Sequence, residues 1–199
     1  MSKRVCVYCS SSNFLEDRYV RAAKQFAKAA SLLNYTIVCG GSIKGRMGII
    51  IDVMLQMRES GEGGGYAEGV IPSFMEELEL YHPRITTLKI TDTMSQRKEL
   101  LRENTDAVIA FPGGLGTLEE FVESFTLKRL GQYDGSVILF NMDGFYNKLL
   151  ELFEIFVENR MMNSNYRDNL IVVETVDQLI DSIGSSNRER LDISHYLPI

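Results

Sequence analysis

Short apolar segments recur along the chain, and longer segments in which apolar residues return every three or four positions lie between them. The first pattern is typical of buried strands, and the second is typical of helices that cover a sheet. The strands predicted from the first pattern are Arg4–Tyr8, Tyr35–Cys39, Tyr66–Ile71, Ile85–Ile90, Ala107–Ala110, Ser136–Phe140 and Leu170–Val173.

The helices predicted from the second pattern are Asp17–Leu33, Met47–Met57, Ser73–Leu80, Asp92–Asn104, Thr117–Leu130, Phe145–Asn159 and Val176–Ile183. Strands and helices therefore alternate, and no Asn-Gly hairpin signal joins two strands. We predict an α/β fold in which a Rossmann-like, doubly wound parallel sheet carries helices on both faces. A single domain is expected over residues 1–184, followed by a polar tail at 185–199.

Composition narrows the class of protein. The 199 residues are 45% apolar, which suits one globular domain with a sizeable core. No apolar run is long enough to span a membrane, and the N-terminus leads directly into a strand, so we expect a cytoplasmic protein. A net charge of −6 argues against nucleic acid or a membrane surface as a general partner.

The strongest candidate binding element is the stretch Phe111–Glu120, which lies between a predicted strand and a predicted helix. Several of its backbone N–H groups should point into one concavity at the positive end of the helix dipole. We expect Gly113, Gly114 and Gly116 to accept positive φ angles and to let a ligand approach the main chain. Thr117 can cap the helix and can also offer its hydroxyl to the ligand. The stretch predicts a phosphate site.

A second glycine-rich turn, residues 40–48, follows the second predicted strand. Its glycines have the spacing of a P-loop, but Arg46 and Met47 stand where that motif needs a lysine and a hydroxyl residue. The dinucleotide pattern Gly-x-Gly-x-x-Gly does not match either, because Ser42 stands two positions after Gly40. The turn therefore excludes a P-loop nucleoside triphosphatase.

Two adjacent cations, Arg97 and Lys98, lie near the start of the helix predicted at 92–104. Positive charge at a helix N-terminus opposes the helix dipole and costs stability unless an anion lies nearby. We therefore predict that both side chains face an anion.

Polar residues Ser10–Asn13 follow the first predicted strand. Loops at the carboxyl ends of strands line the ligand crevice of an open α/β sheet, so Ser11 could donate its hydroxyl to a phosphate or a sugar. Turn formation alone explains the same residues.

Cysteine and histidine usage gives little support for redox or metal chemistry. Cys6 and Cys9 have the spacing of a redox pair, but the predicted strand places their side chains on opposite faces, so we expect buried structural thiols. His82 and His195 are far apart and have no companion ligands. We expect no metal and no cofactor.

Two of these stretches resemble the Lonely Guy family of cytokinin riboside 5′-monophosphate phosphoribohydrolases. The family signature Pro-Gly-Gly-x-Gly-Thr-x-x-Glu matches Pro112–Glu120, and Met-x-x-Arg-Lys matches Met94, Arg97 and Lys98. The chain departs from the family in the second glycine turn, where the usual Gly-Gly-Gly-x-x-Gly-Leu-Met-Gly reads Gly-Gly-Ser-Ile-Lys-Gly-Arg-Met-Gly.

The resemblance implies a homodimer that hydrolyses the N-glycosidic bond of a nucleoside 5′-monophosphate, such as AMP or an N6-modified form, to a free base and ribose 5-phosphate. It gives the catalytic roles to Arg97 and Glu120. It also implies substrate contacts at Glu79, Arg97, Lys98, Gly113, Gly114, Leu115, Gly116, Thr117, Leu118, Glu119 and Thr126. Such proteins are often labelled lysine decarboxylases, but the sequence supplies no convincing pyridoxal-phosphate site.

The chemistry of Glu120 can also be argued without the resemblance. Cleavage of a ribosyl–base bond builds positive charge on the sugar, which a nearby carboxylate stabilises while it activates water. Arg97 holds its proton above about pH 12, so we expect it to act electrostatically. The spacing from Thr117 to Glu120 also fits a capping box, in which the glutamate binds the threonine N–H.

Two classes of function stay open. One is the hydrolase, and the other is a nucleotide-binding or carrier protein on the same scaffold, which would bind without turnover. A carboxylate beside a bound anion favours the enzyme, because a phosphate holder gains nothing from it. The predicted helix at 47–57 is apolar on most sides, which indicates an additional partner surface and agrees with a homodimer.

Overall fold

The computed structural model describes residues 2–14, 16–78 and 80–188, which contain one seven-stranded parallel sheet. Its strands are β1 (Arg4–Tyr8), β2 (Thr36–Cys39), β3 (Tyr66–Pro72), β4 (Thr87–Thr91), β5 (Ala107–Ala110), β6 (Ser136–Phe140) and β7 (Ile171–Val173). Each neighbouring pair in the order β4-β3-β2-β1-β5-β6-β7 is hydrogen-bonded in parallel. The predicted doubly wound topology is confirmed.

Seven α-helices lie between and after these strands. They are α1 (Asp17–Leu32), α2 (Gly45–Glu59), α3 (Ser73–Glu76), α4 (Met94–Arg102), α5 (Leu115–Arg129), α6 (Asn147–Glu158) and α7 (Val176–Ser185). Short 3-10 helices span Met142–Gly144 and Ser164–Asn169. The predicted helix at 73–80 is only one turn long, and residues 189–199 of the predicted tail lie outside the described residues.

Helices cover both faces of the sheet, as predicted, and each face has its own apolar core. Phe26 of α1 and Met54 of α2 pack on one face, whereas Phe121 of α5 and Phe153 of α6 pack on the other. Successive strand residues point to opposite faces, so the two cores contact alternate side chains of the same buried strands. The central strands β1, β2, β5 and β6 are mostly apolar for this reason.

The predicted positions of Cys6 and Cys9 are confirmed. Cys6 packs in the core that contains Phe121, and Cys9 packs in the core that contains Phe26. Both thiols are free and buried, and burial raises their pKa values. The two sulfurs therefore belong to different layers of the molecule and do not form a redox pair.

Helix α2 does not offer the apolar partner surface that its composition predicts. Its apolar side chains are buried or half-buried, because the sheet covers one side of the helix and α1 covers another. The exposed positions carry the polar residues Asp52, Gln56, Arg58 and Glu59. This basis for a dimer was wrong, and the homodimer itself stays a prediction.

The chain changes winding direction at β1. This central strand pairs with β2 on one side and with β5 on the other, so the loops that follow β1 and β5 diverge to opposite faces. A crevice forms at such a switch point, outside the carboxyl ends of the strands. The stretch 111–120 leaves β5 at this position.

Candidate active site

A cavity of about 520 Å³ occupies the carboxyl edge of the sheet. Segments that follow five strands contribute to its wall: Ser11 after β1, Gly40 after β2, Met75 after β3, Met94 after β4 and Gly114 after β5. The volume is within the range of small-molecule sites. Convergence of five strand ends explains why residues far apart in sequence meet here.

Arg97 and Glu120 form an ion pair in the wall of this cavity. The Arg97 Nη1 atom lies 2.6 Å from Glu120 Oε1, and the two side chains are only 11% and 12% exposed. Arg97 also donates from Nε to the Val70 carbonyl at 3.1 Å. The structure therefore brings together two residues from different helices, to which the family resemblance assigned catalytic roles.

The start of α4 places Arg97 correctly. The Thr93 hydroxyl accepts a hydrogen bond from the Gln96 N–H, and the Gln96 side chain accepts one from the Thr93 N–H. This capping box begins the helix at Met94, so Arg97 follows one turn later with its side chain directed inward. The anion predicted near Arg97 is the Glu120 carboxylate.

Burial changes the acidity of Glu120. It raises the pKa of the carboxyl group, and the positive charge of Arg97 acts in the opposite direction. A carboxylate with little water around it interacts more strongly with positive charge than an exposed one does. Glu120 is therefore suited to contact a cationic sugar intermediate.

Gly40 leaves room for the guanidinium group. A Cβ atom at this position would lie 2.6 Å from Arg97 Nη2 and 3.0 Å from Met47 Sδ. Any side chain at residue 40 would therefore displace Arg97. The glycine spacing at 40–48 gives no signal of this role, because the contact joins residues that are far apart in sequence.

The N-terminus of α5 differs in detail from the sequence prediction. Gly114 is the N-cap residue and the helix begins at Leu115, so Thr117 lies inside the first turn and is 4% exposed. The prediction that Thr117 caps the helix was wrong. The capping box was wrong as well, since Glu120 lies beyond the first turn and binds Arg97.

The glycines of this turn matter because they lack a side chain, and not because they adopt positive φ angles. Gly113, Gly114 and Gly116 do not have positive φ angles, so that expectation was wrong. A Cβ atom at Gly114 or Gly116 would meet no atom within 4 Å, because both positions face open space. The main chain at the start of α5 is thus accessible to a ligand, at the positive end of a helix of 15 residues.

Lys98 is tied into a second, more exposed cluster. Its ammonium group contacts the Glu119 carboxylate and lies 2.6 Å from Glu123 Oε2, and these carboxylates raise the pKa of Lys98. The Arg102 Nη2 atom lies 3.1 Å from Glu123 Oε1, the other oxygen of the same carboxylate. The predicted anions are again side chains of α5. Two sets of salt bridges, one buried and one more exposed, therefore join the cations of α4 to the carboxylates of α5.

The other predicted ligand residues divide into two groups. Ser11, Leu115, Gly116, Thr117 and Glu119 line the cavity, together with Gly114, Arg97 and Glu120. Gly113 packs against Thr117, Leu118 packs on the core, and Thr126 is exposed farther along α5. Glu79 lies outside the described residues. Their contacts with substrate stay predictions.

Within the described residues, no group of three His, Cys, Asp or Glu side chains could hold a metal ion. His82 is buried and its Nε2 atom lies 3.1 Å from Asp52 Oδ1. No helix of the described residues is long and apolar enough to cross a membrane.

The parallel sheet, with a cavity at its carboxyl edge that contains a glycine turn and a buried Arg–Glu pair, defines a Rossmann-like α/β protein. Residues 48–183 match the family model described as "Possible lysine decarboxylase".

The cytokinin riboside 5′-monophosphate phosphoribohydrolase LOG4 of Arabidopsis thaliana is 34% identical over 180 residues, which cover 90% of this chain and 81% of the relative. A probable phosphoribohydrolase of the same kind, LOGL6 of Oryza sativa subsp. japonica, is 33% identical over 181 residues, 91% and 70% of the two chains. The chain belongs to the Lonely Guy family of cytokinin riboside 5′-monophosphate phosphoribohydrolases.

Solved structures of low sequence identity share the fold. The molybdenum cofactor binding protein of Rippkaea orientalis has a TM-score of 0.66 at 19% identity, over 93% of this chain and 97% of that chain. The molybdenum cofactor carrier protein of Chlamydomonas reinhardtii has a TM-score of 0.65 at 16% identity, over 92% and 97%. These similarities support the architecture and say nothing about the ligand.

The coupling between Arg97 and Glu120 predicts a pH-dependent stability in Arg97→Met. Without its partner Glu120 should have a still higher pKa in the folded state, and a raised folded-state pKa stabilises the protein only while the group is protonated. The free energy of unfolding should therefore fall from pH 5 to pH 8 more steeply than in the wild type. The extra loss should be about 1.4 kcal/mol per unit of additional pKa shift. Urea unfolding at several pH values measures it.

The control is the double variant Arg97→Met/Glu120→Gln, which has no titrating carboxyl at this position. Its free energy of unfolding should not show the additional fall with pH, because all other titrating groups are unchanged. Equal slopes in the wild type and in Arg97→Met would mean that the two side chains are not coupled, and equal slopes in the single and double variants would mean that Glu120 is not the titrating group.

Proposed function

We propose that this protein hydrolyses the N-glycosidic bond of a nucleoside 5′-monophosphate and releases the free base and ribose 5-phosphate. The observation that carries the proposal is the buried Arg97–Glu120 pair, which lies in one cavity with the open N-terminus of α5. Membership in the phosphoribohydrolase family supports it. AMP and N6-modified adenosine monophosphates are the expected substrates.

The 5′-phosphate binds at the first turn of α5 in this proposal. Unpaired N–H groups at the start of a helix and its dipole both favour an anion, and Gly114 and Gly116 leave the main chain open on the cavity side. Thr117, which lines the same wall, can donate its hydroxyl. The phosphate thereby fixes the nucleotide at one end and leaves the ribose near Glu120, which follows Thr117 by three residues.

Glu120 acts at the anomeric carbon. As the bond from C1′ to the base nitrogen breaks, its electron pair leaves with the base, and positive charge develops on the ribose. The carboxylate stabilises this charge and accepts a proton from the water that adds to C1′, while the departing base takes up a proton. The net result is one water consumed for each base and ribose 5-phosphate formed.

Arg97 has an electrostatic role. Its guanidinium group keeps its proton at physiological pH, so it holds the Glu120 carboxylate in one position and favours its ionised form. The bond to the Val70 carbonyl fixes Arg97 in turn. Catalysis thus depends on a preformed arrangement of charges and not on movement of either side chain.

A carrier protein is the second candidate function. It would need the phosphate site of α5 but not a buried carboxylate beside the bound anion, which is unfavourable for binding alone. The solved carriers support the fold only, at 16–19% identity. Glu120 therefore favours the hydrolase.

The lysine decarboxylase label of the family model is not supported by the lysines near the cavity. A lysine that forms a Schiff base with pyridoxal phosphate needs a lowered pKa. Two carboxylates raise the pKa of Lys98, and Lys44 is exposed at the cavity wall. The environment of Lys98 therefore does not activate its amine.

A homodimer is also part of the proposal. Leu115 and Met94 line the cavity and are 83% and 40% exposed in one chain. Apolar side chains at the mouth of a binding site are often covered by a partner subunit or by an apolar part of the substrate. The cytoplasmic location expected from the sequence stays a prediction.

Replacing Glu120 with Gln tests the catalytic role. Glutamine keeps the size of the side chain and an oxygen that can accept from Arg97, but it removes the negative charge. We expect kcat with AMP or an N6-prenylated AMP to fall by at least about a hundredfold, while nucleotide affinity stays similar or increases because an anion near the phosphate is gone. Steady-state kinetics and calorimetry measure the two quantities.

Glu99→Gln provides the matched control, because Glu99 is exposed on α4 and changes the net charge in the same way. It should keep near-normal turnover. If Glu120→Gln also kept near-normal turnover, the carboxylate would be structural and the proposed mechanism would be wrong.

The proposed homodimer predicts a single species with twice the mass of one chain at micromolar concentration. Burial of exposed apolar residues such as Leu115 supplies the driving force. Sedimentation velocity of the purified protein measures the mass. A species with the mass of one chain would contradict this part of the proposal.

A further inference from the structure

Arg46 is a buried cation behind the anion-binding turn. It is 2% exposed, and its guanidinium group donates from Nη2 to the carbonyl of Pro112, the residue before Gly113. Its own backbone N–H donates to the Ser10 carbonyl at 3.1 Å. One residue thus connects the turns that follow β1, β2 and β5.

The position of Arg46 depends on Gly45, which begins α2. Gly45 has a φ of 62°, and a Cβ atom there would lie 2.4 Å from the Ser10 carbonyl oxygen. Only glycine allows the chain to pass so close to the turn after β1. The Arg46 side chain is therefore directed into the molecule, toward Pro112, while Lys44 and Met47 line the cavity.

Among the described residues, no carboxylate forms a salt bridge with Arg46. Its guanidinium carbon lies 5.4 Å from the centre of the Tyr19 ring, and its buried Nε atom has no hydrogen-bond partner. Burial lowers the pKa of Arg46, and the opposing effects of Cys9, Tyr146 and Tyr19 do not cancel this shift. A buried charge without a counter-ion is costly, so its presence needs an explanation.

A second donor holds the same turn one residue earlier. The Tyr146 hydroxyl donates to the Phe111 carbonyl at 2.6 Å. Consecutive carbonyl groups are therefore bound by Tyr146 and Arg46, neither of which is among the cavity-lining residues. The turn is fixed from behind before any ligand arrives.

We propose that Arg46 is a positioning residue whose unpaired charge, held behind the 112–117 turn, is the buried counter-charge for the 5′-phosphate of the substrate. The inference rests on the proposed function. The phosphate approaches the turn from the cavity, and Arg46 binds the turn from the opposite side. The charge of Arg46 therefore acts through the main chain and does not touch the ligand. Screening by solvent is weak because Arg46 is buried.

This role predicts a selective effect on ligands that carry a phosphate. Arg46 should increase the affinity for AMP but leave the affinity for adenosine unchanged, because adenosine lacks the anion. If Arg46 had only a structural role, replacing it would lower the affinity for both ligands alike or change only the melting temperature. The ratio of the two dissociation constants is therefore the decisive quantity.

The test compares Arg46→Gln with Arg46→Lys, each made together with Glu120→Gln so that bound AMP is not consumed, using calorimetry with AMP and with adenosine; the reference protein carries Glu120→Gln alone. Glutamine keeps a donor for the Pro112 carbonyl but has no charge, whereas lysine keeps the charge. We expect Arg46→Gln to bind AMP at least about tenfold more weakly, equivalent to about 1.4 kcal/mol, and adenosine as the reference protein does. Arg46→Lys should bind AMP within about threefold of the reference protein.

Equal AMP affinity in all three proteins, or parallel losses for AMP and adenosine, would overturn the role of Arg46 and leave the proposed function intact. If Arg46→Gln does not fold, Arg46→Lys decides alone, since loss of AMP affinity despite the retained charge contradicts the inference. Failure of the wild type to bind AMP would overturn the proposed function, and the inference with it.

Discussion

A salt bridge between Arg97 and Glu120 has to be held in a region with little water, and this constraint explains much of the structure around it. Each charge loses hydration on burial, and removal of one partner from such a pair typically costs about 3–5 kcal/mol. The protein compensates with a short Arg97–Glu120 contact, a backbone acceptor for Arg97 and a glycine that leaves space for the guanidinium group. These features fix the carboxylate before substrate binds.

The doubly wound sheet supplies the setting for this pair. Its strand ends bring α4 and α5 side by side, so Arg97 and Glu120 meet across a helix pair although 23 positions separate them in sequence. The same edge exposes the N-terminus of α5, where an anion is favoured. Positive main-chain groups for a phosphate and a negative carboxylate for a sugar cation therefore lie a few residues apart on one helix.

The sequence predicted those features that depend on local pattern. The apolar central strands and the position of the glycine turn after Ala110 agree with the structure, and Arg97 and Glu120, to which the resemblance gave catalytic roles, lie together. It failed where tertiary contacts decide: Thr117 is a good capping residue but Gly114 caps α5, and the apolar surface of α2 is covered by α1. Arg46 was noticed only as a departure from two motifs, because burial beneath another turn leaves no periodic signal.

Identification of the products made by the wild-type protein tests the central claim most directly. AMP and an N6-prenylated AMP should each be converted, without added metal or cofactor, to equal amounts of free base and ribose 5-phosphate, which liquid chromatography with mass spectrometry resolves. In the proposed mechanism Glu120 acts at C1′ and the 5′-phosphate ester is not cleaved, so no inorganic phosphate should form. Release of nucleoside and phosphate, or binding of nucleotide with no reaction, would contradict the account.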